Sequence, residues 1–138
     1  MPGESDDRGY GAVHLAAVKG HTKVLVVLIK AGACLDKRSV EGNTALHFAA
    51  AQGLFHVVGL LLLYCADVNI ADREGKTALH FAVIQSYLHV VGLLLLYGAD
   101  VYQGDSEGRT ALSFARERGD AEMENLLLRR RVNDVEKV

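Results

Sequence analysis

The sequence predicts an all-α repeat protein, a short solenoid of helix–turn–helix units, because one hydrophobic and turn pattern returns at a fixed interval. The hexapeptide TALHFA occurs twice, and two looser versions complete a series at residues 11–16, 44–49, 77–82 and 110–115. Four glycines keep the same spacing of 33 residues, namely Gly9, Gly42, Gly75 and Gly108. Each repeat is therefore expected to bury the same positions.

The period divides the 138 residues into four units, at about 6–38, 39–71, 72–104 and 105–131, with a short tail at 132–138. Half of the residues are hydrophobic, which is enough to build a core. The units leave no room for a second domain, so we expect one repeat domain over residues 1–138.

The unit at residues 72–104 shows how each element follows from the sequence. Residues 72–76 form a turn with a glycine at its tip, and the hydroxyl of Thr77 is placed to cap a helix from Ala78 to about Gln85. A second helix is expected from about Leu88 to Leu96, and a glycine ends it. The stripe of this helix that faces the core is predicted to comprise Val90, Leu93, Leu94 and Tyr97.

Neither helix of a unit is long enough to be stable alone, because isolated helices need about 12–15 residues. Each unit must therefore stack on its neighbours, which produces one continuous core through the array. The last unit is expected to close the array. Its Arg116 and its charged final helix, from Ala121 to Arg131, give it a polar outer side.

Two apolar stretches, residues 47–66 and 79–99, are each long enough and uncharged enough to resemble a membrane span. We expect neither to be one, because Gly53 and the Gln85–Ser86 pair lie where the repeat places a turn between two helices. No signal peptide is expected either, since residues 1–9 contain no apolar run.

Charge and cysteine content exclude further classes. The chain has 15 Lys and Arg against 17 Asp and Glu, a net charge of −2, which argues against a protein that grips nucleic acid by neutralising phosphates. Two cysteines, Cys34 and Cys65, are too few for a disulfide scaffold. A reducing compartment, the cytoplasm or the nucleus, is the expected location.

Two motifs resemble those of the ankyrin-repeat family: D-x-x-G-x-T-A-L-H-x-A at residues 72–82 and V-x-x-L-L-x-x-x-G-A-D at residues 90–100. The resemblance covers nearly the whole chain. It implies two antiparallel helices and a protruding β-turn finger in each unit, with fingers and first helices lining a concave groove that binds other proteins. It also implies that the repeated histidines, such as His47 and His80, hydrogen-bond to backbone near the neighbouring finger. The chain departs from the family pattern at Cys65, which stands where the family has a glycine, and Ser86 replaces the glycine that ends the first helix in the other units.

If the family geometry holds, positions that the fold does not specify line the groove. These candidate partner-binding residues lie in the fingers and on the first helices: Tyr10, Val18, Lys19, Arg38, Val40, Glu41, Asn43, Phe48, Gln52, Arg73, Glu74, Lys76, Phe81, Ile84, Gln85, Glu107, Arg109, Phe114 and Arg118. The three phenylalanines repeat at one position, either as core under the fingers or as a part-exposed aromatic ladder. The fingers mix both charges, so no strongly acidic or basic partner is implied.

The outer sides of the second helices form a second candidate surface. In the first and last units the stripe opposite the core carries charges, but in the middle units it is apolar and contains glycines. The candidate contact residues are His56, Gly59, Leu63, Tyr64, His89, Gly92, Leu96 and Tyr97. One interpretation is duplication, because HVVGLLLLY occurs verbatim at residues 56–64 and 89–97. The other is a convex contact, with a second copy of the chain or with another chain, which requires Leu63 and Leu96 to be exposed.

The sequence points to no enzyme, no metal site and no cofactor. Equivalent histidines stand on stacked helices about 8–10 Å apart, too far to share a metal ion. The cysteines have no CxxC spacing, and the chain contains no Gly-rich phosphate-binding motif. We therefore expect a non-enzymatic protein-binding module, a scaffold, adaptor or inhibitor, whose partner is another protein and not nucleic acid or a membrane. The alternatives are a specific regulator resembling the ankyrin-repeat inhibitors of kinases, and a structural fragment of a larger protein with a convex contact.

Overall fold

The computed structural model describes residues 11–136, and within this range the chain forms eight α-helices. The first helices of the four units are α1 (Ala12–Val18), α3 (Ala45–Ala51), α5 (Ala78–Ile84) and α7 (Ala111–Glu117). The second helices are α2 (Thr22–Lys30), α4 (Phe55–Leu63), α6 (Leu88–Leu96) and α8 (Ala121–Glu136). The prediction of an all-α repeat fold built from helix pairs is confirmed.

The helices form two layers. The first helices pack in one row, α1 on α3, α3 on α5 and α5 on α7, and the second helices pack in the other row in the same order. Each first helix also packs on the second helix of its own unit. One hydrophobic cluster runs through all four units between the layers, with Leu25, Leu61, Leu94 and Leu127 at its centre. Stacking of the units therefore buries hydrophobic side chains that a single unit would leave exposed.

A threonine is the N-cap of the first helix in each of the last three units. Its hydroxyl accepts a hydrogen bond from the backbone N–H three residues later, as in the 3.4 Å bond from His80 to Thr77. This satisfies one of the free amides of the first turn. The predicted N-cap at Thr77 is confirmed. The N-cap of α1 is Gly11, which has no hydroxyl, but Nδ1 of His14 accepts from the Gly11 backbone N–H at 3.0 Å.

The boundaries of the predicted helices are close but not all correct. α6 has the bounds expected for it, whereas α5 ends at Ile84 and Gln85 is its C-terminal cap. α8 continues to Glu136, past the expected end at Arg131 and through most of the expected tail. Residues 47–66 fold as α3, a turn and α4, and within residues 11–136 no helix is both long enough and apolar enough to cross a membrane.

The predicted core stripe of α6 is partly wrong. Val90 and Leu94 are buried as expected, but Tyr97 is 43% exposed and Leu93 is only half-buried. Val91 and Leu95 take their places in the core. The helix is thus rotated about its axis relative to the prediction, so that its inner side is Val90–Val91 and Leu94–Leu95.

Among residues 11–136, two residues other than glycine have the left-handed backbone conformation, Cys65 with φ of 70° and Ser86 with φ of 62°. Cys65 follows α4, where the first and third units have glycine, and Ser86 lies in the turn before α6, where the other three units have glycine. A side chain is strained in this conformation because Cβ crowds the following carbonyl. The two departures noted in the sequence are therefore sites of local backbone strain.

Replacing Cys65 by glycine is expected to raise the free energy of unfolding by about 0.5–1 kcal/mol, because relief of the strain exceeds the entropy that glycine adds to the unfolded chain. Denaturant melts followed by circular dichroism measure this. Ser86→Gly is the matched comparison. In the wild-type chain the Ser86 hydroxyl donates to Oδ2 of Asp120 in the next unit at 3.0 Å. Loss of this bond should cancel most of the gain in the free energy of unfolding. A destabilised Cys65→Gly variant would contradict the assignment of strain.

Candidate functional site

The fingers, residues 38–43, 71–76 and 104–109, form a regular ladder along one edge of the array. Each finger closes on itself through a backbone bond, such as the 2.8 Å bond from the Asp72 N–H to the Lys76 carbonyl. Adjacent fingers are joined by further backbone bonds: Arg73 donates to Glu41 at 3.0 Å, and Ser106 donates to Glu74 at 2.9 Å. The side chains at the finger tips therefore stand on a fixed backbone platform.

Histidines tie each first helix to the next finger. Nδ1 of His47 accepts from the Thr44 backbone N–H at 2.9 Å, so Nε2 carries the proton and donates to the Lys76 carbonyl at 2.9 Å. His80 repeats this bond to the Arg109 carbonyl at 3.0 Å, and His14 bonds to the Asn43 carbonyl at 2.9 Å. The bond to the neighbouring finger that the family resemblance implied is confirmed.

Burial lowers the pKa of His47 and of His80, and the backbone carbonyls that accept from them only partly oppose this effect. Both imidazoles are therefore neutral at pH 7, and both ring nitrogens of each are engaged in hydrogen bonds. A metal ion or a proton could bind the remaining lone pair, on Nδ1, only by breaking the bond from the backbone N–H of Thr44 or Thr77 at the start of the first helix. Within the described residues, no group of three or more His, Cys, Asp or Glu side chains could hold a metal ion.

Asp105 is the buried charge at the base of the third finger. Its carboxylate accepts from the backbone N–H groups of Glu107 and Arg109, each at 2.9 Å, and its Oδ2 lies 3.1 Å from Nε of Arg109 and 3.6 Å from Nζ of Lys76. Burial alone would raise the pKa of this carboxyl group. The backbone donors of Arg109 and Glu107 and the charges of Arg109 and Lys76 outweigh that effect and hold the pKa below its usual range. Sequence reasoning missed this cluster, although the Asp that opens the second and third fingers was its signal.

Ten of the expected partner-binding residues are exposed. They project from the fingers and from the ends of the first helices: Lys19, Arg38, Val40, Glu41, Gln52, Arg73, Glu74, Gln85, Glu107 and Arg118. Seven more are half-buried, namely Val18, Asn43, Phe48, Lys76, Phe81, Ile84 and Arg109. Phe114 is buried, and Tyr10 lies outside the described residues. The exposed members and the finger ladder define the surface that we call the finger face.

The expectation that Lys76 is free of the framework is wrong. Its side chain is only 14% exposed, and its ammonium group lies between Oε2 of Glu74, at 3.2 Å, and the buried carboxylate of Asp105. Arg109 also serves the fold, because its guanidinium group pairs with the same carboxylate and lies 4.9 Å from the ring centre of Phe114. These residues stabilise the third finger, so their substitution would disturb the surface as well as any contact.

Two exposed arginines donate hydrogen bonds to backbone carbonyls of a neighbouring unit. Nη2 of Arg38 donates to the Ala71 carbonyl at 2.6 Å, a bond that joins the first two fingers. Nε of the same side chain donates to the Gly42 carbonyl of its own finger at 3.3 Å. Nη1 of Arg118 donates to the carbonyl of Ile84, which itself packs against the core. Their guanidinium groups are therefore fixed in position on the finger face.

The repeated phenylalanines pack edge-on against the repeated histidines. The ring centres are 5.7 Å apart for His14 and Phe48, 5.8 Å for His47 and Phe81, and 5.9 Å for His80 and Phe114. Since two phenylalanines are half-buried and the third is buried, this series is mainly packing beneath the fingers.

The outer sides of α4 and α6 present an apolar surface, which we call the convex face. Leu63 is 63% exposed and Leu96 is 75% exposed, as the sequence required for a convex contact. His56, Tyr64, His89 and Tyr97 are exposed as well, and Gly59 and Gly92 are half-exposed between them. The structure thus separates the expected site residues into two surfaces, one at the fingers and one on the second helices.

Comparison with known proteins agrees with this architecture. A family model described as ankyrin repeats in three copies matches residues 2–72 and 52–137, which together cover nearly the whole chain. A search of curated proteins returns no match.

Proposed function

The chain belongs to the ankyrin-repeat family, whose repeats generally bind proteins and are typically non-catalytic, and from this premise we propose that it is a non-enzymatic module, a scaffold, adaptor or inhibitor, that binds a partner protein through its finger face. The observation that supports this best is the finger ladder. Exposed side chains of both charges, such as Glu41, Arg73 and Glu74, project from a backbone that interfinger hydrogen bonds hold fixed. A surface ordered before binding loses little entropy when a partner docks.

The chemistry of the finger face indicates the kind of partner. Lys19 and Arg73 are basic, Glu41 and Glu107 are acidic, and Val40 is an exposed apolar side chain among them. Such a mixed surface favours a folded protein or a segment that carries both charges over a polyanion. We place the protein in a reducing compartment, the cytoplasm or the nucleus. The support is that Cys34 and Cys65 are both free and exposed.

Substitution of the finger face is expected to abolish partner binding and to leave the fold intact. A suitable variant combines Glu41→Ala, Arg73→Ala and Gln85→Ala, because these side chains are exposed and none is among those that bond neighbouring units. Each surface change should alter stability by less than about 0.5 kcal/mol. Lys76 and Ile84 are unsuitable, since one pairs with Asp105 and the other packs on the core.

The measurement is affinity capture from cell extract with the intact chain, the triple-alanine variant and a matched control. Leu63→Lys with Leu96→Lys is the control, because it changes the convex face and no finger residue. Proteins captured by the intact chain and by the control, but lost with the triple-alanine variant, are partners of the finger face. If every captured protein remains with the triple-alanine variant while circular dichroism is unchanged, the finger face is not the binding surface.

A further inference from the structure

The middle of the convex face exposes hydrophobic side chains that no described part of the chain covers. Leu63 and Leu96 project outward from α4 and α6, and Phe55, Tyr64 and Tyr97 are each more than a third exposed beside them. A groove of about 640 Å³ runs between α6 and α8, and its apolar walls include Phe55, Leu88, Leu93, Leu96 and Leu126. Contiguous apolar surface of this kind usually marks a contact.

The charged residues of the same groove lie on α8. They are Glu122 and Arg129, and Asn125 lines the groove between them. Neither Glu122 nor Arg129 takes part in an ion pair within the described residues. They are seven residues apart, so they lie on nearly the same side of the helix, about 10 Å apart along its axis.

The outer stripes of α4, α6 and α8 share one spacing. Gly59 is the middle residue of α4, and Gly92 is the middle residue of α6. Histidine lies three residues before each glycine and leucine lies four residues after it, and on α8 the pair Glu122 and Arg129 flanks Asn125 with the same spacing. A two-fold axis along the stack that passes close to Gly59, Gly92 and Asn125 would place each helix antiparallel to its own copy, with the residue three positions before each of these opposite the residue four positions after it.

The two glycines suit a close approach of helices at that axis. A Cβ atom added at Gly92 would meet nothing within 4 Å, and one added at Gly59 would make only an ordinary 3.5 Å contact with Leu93. Packing inside one chain thus requires neither glycine, although glycine is unfavourable in the middle of a helix. Because glycine has no side chain, these two positions would instead let two helix backbones approach each other closely.

We propose that the convex face binds the convex face of a second copy of this chain, in a two-fold pair centred on Gly59, Gly92 and Asn125. Leu96 of each copy packs beside the other copy's α6 near His89, and Leu63 packs in the same way on α4. Glu122 of each copy faces Arg129 of the other, so the pair gains two ion pairs. An isologous contact of this kind requires a surface that is complementary to itself, and the opposite charges on α8 meet that requirement.

Charge also limits the extent of the pair. The corresponding stripe of α2 carries Lys23 and Lys30, which would face each other as like charges across the same axis. The contact is therefore confined to α4, α6 and α8. The finger face takes no part in it, so the inference does not depend on the proposed function.

The first test is the oligomeric state of the full chain, measured by sedimentation velocity over a range of concentrations. We expect a monomer–dimer equilibrium with a dissociation constant between about 1 μM and 1 mM. Leu63→Lys with Leu96→Lys should weaken it at least about 100-fold, since two buried leucines are replaced by charges. Val27→Lys is the matched control, because Val27 is 67% exposed but lies on α2 outside the contact, and it should leave the equilibrium unchanged.

The second test identifies the partner as a second copy in this orientation. Glu122→Arg alone, or Arg129→Glu alone, places like charges opposite each other and should weaken pairing about tenfold. The double exchange should restore pairing, and so should an equimolar mixture of the two single variants. Failure of both restorations, or a wild-type chain that stays monomeric at about 1 mM, overturns the proposal. Dimerisation that survives the leucine-to-lysine pair but is lost in the triple-alanine finger variant would overturn it equally.

Discussion

Truncation of Leu61 or of Leu94 to alanine is expected to lower the free energy of unfolding by about 2–5 kcal/mol, the range for buried leucines whose cavity cannot collapse. Both side chains are fully buried, and they occupy equivalent positions on α4 and α6 between the two helix layers. A middle unit packs on a neighbour at each side, so the cavity weakens two interfaces between units as well as the unit itself. A domain of this size has little stability to spare, so either variant should approach global unfolding.

Urea melts followed by circular dichroism measure this effect. Leu96→Ala is the matched control: it removes the same atoms from the same helix as Leu94→Ala, but its side chain is 75% exposed, so the loss should stay below about 0.5 kcal/mol. A loss under about 1 kcal/mol for Leu94→Ala would show that the stripe through Val90 and Leu94 does not hold the array together.

The repeat period was sufficient to predict most of the fold. It predicted two helices in each of four units, and the threonine of the TALH element predicted a helix cap. The bond of the repeated histidine to the next finger was implied by the resemblance to the ankyrin-repeat family. The bond recurs in the structure and joins residues a constant 29 positions apart, as in the bond of His47 to Lys76.

The orientation of the middle second helices could not be predicted as reliably. Every residue of α6 from Val90 to Leu96 is apolar or glycine, so hydrophobic periodicity contains little information about which side faces inward. The predicted core stripe included Tyr97, which was also placed in the convex surface, and it left out Leu95. The structure exposes Tyr97 and buries Leu95. In α2 the charges of Lys23 and Lys30 mark the outer side, which shows what information the middle helices lack.

The buried carboxylate was missed for a different reason. The sequence shows Asp105 only as a polar residue in a turn, and turn residues are usually exposed. Its burial results from the packing of the third finger on the second, which brings Lys76, 29 residues away, to within 3.6 Å of Oδ2. The role of Lys76 was misjudged with it, because no local pattern reveals an ion pair between units.

Asp105→Asn is expected to lower the free energy of unfolding by about 1.5–3 kcal/mol at pH 7, because it removes the charge that balances the half-buried Lys76 and Arg109. The amide oxygen can still accept the backbone bonds from Glu107 and Arg109, so the loss reports mainly on the ion pairs. Asp72→Asn is the matched control. Asp72 accepts the equivalent two bonds in the second finger, from the backbone N–H groups of Glu74 and Lys76 at 2.9 Å, but it has no cationic partner within the described residues. The free energy of unfolding of Asp72→Asn should therefore fall by less than about 1 kcal/mol.

The stability difference between the wild-type chain and Asp105→Asn should depend on pH in a defined direction. The folded-state pKa of Asp105 lies below its unfolded value of about 3.9, so the ionised carboxylate contributes its full stability above that pH. The contribution is lost as the pH falls through the folded pKa. Urea melts at pH 7 and at a series of pH values below 4 should therefore show the two chains converging. A difference that stays constant down to about pH 2 would mean that the charge of Asp105 does not stabilise the third finger, and that the loss at pH 7 comes from altered packing alone.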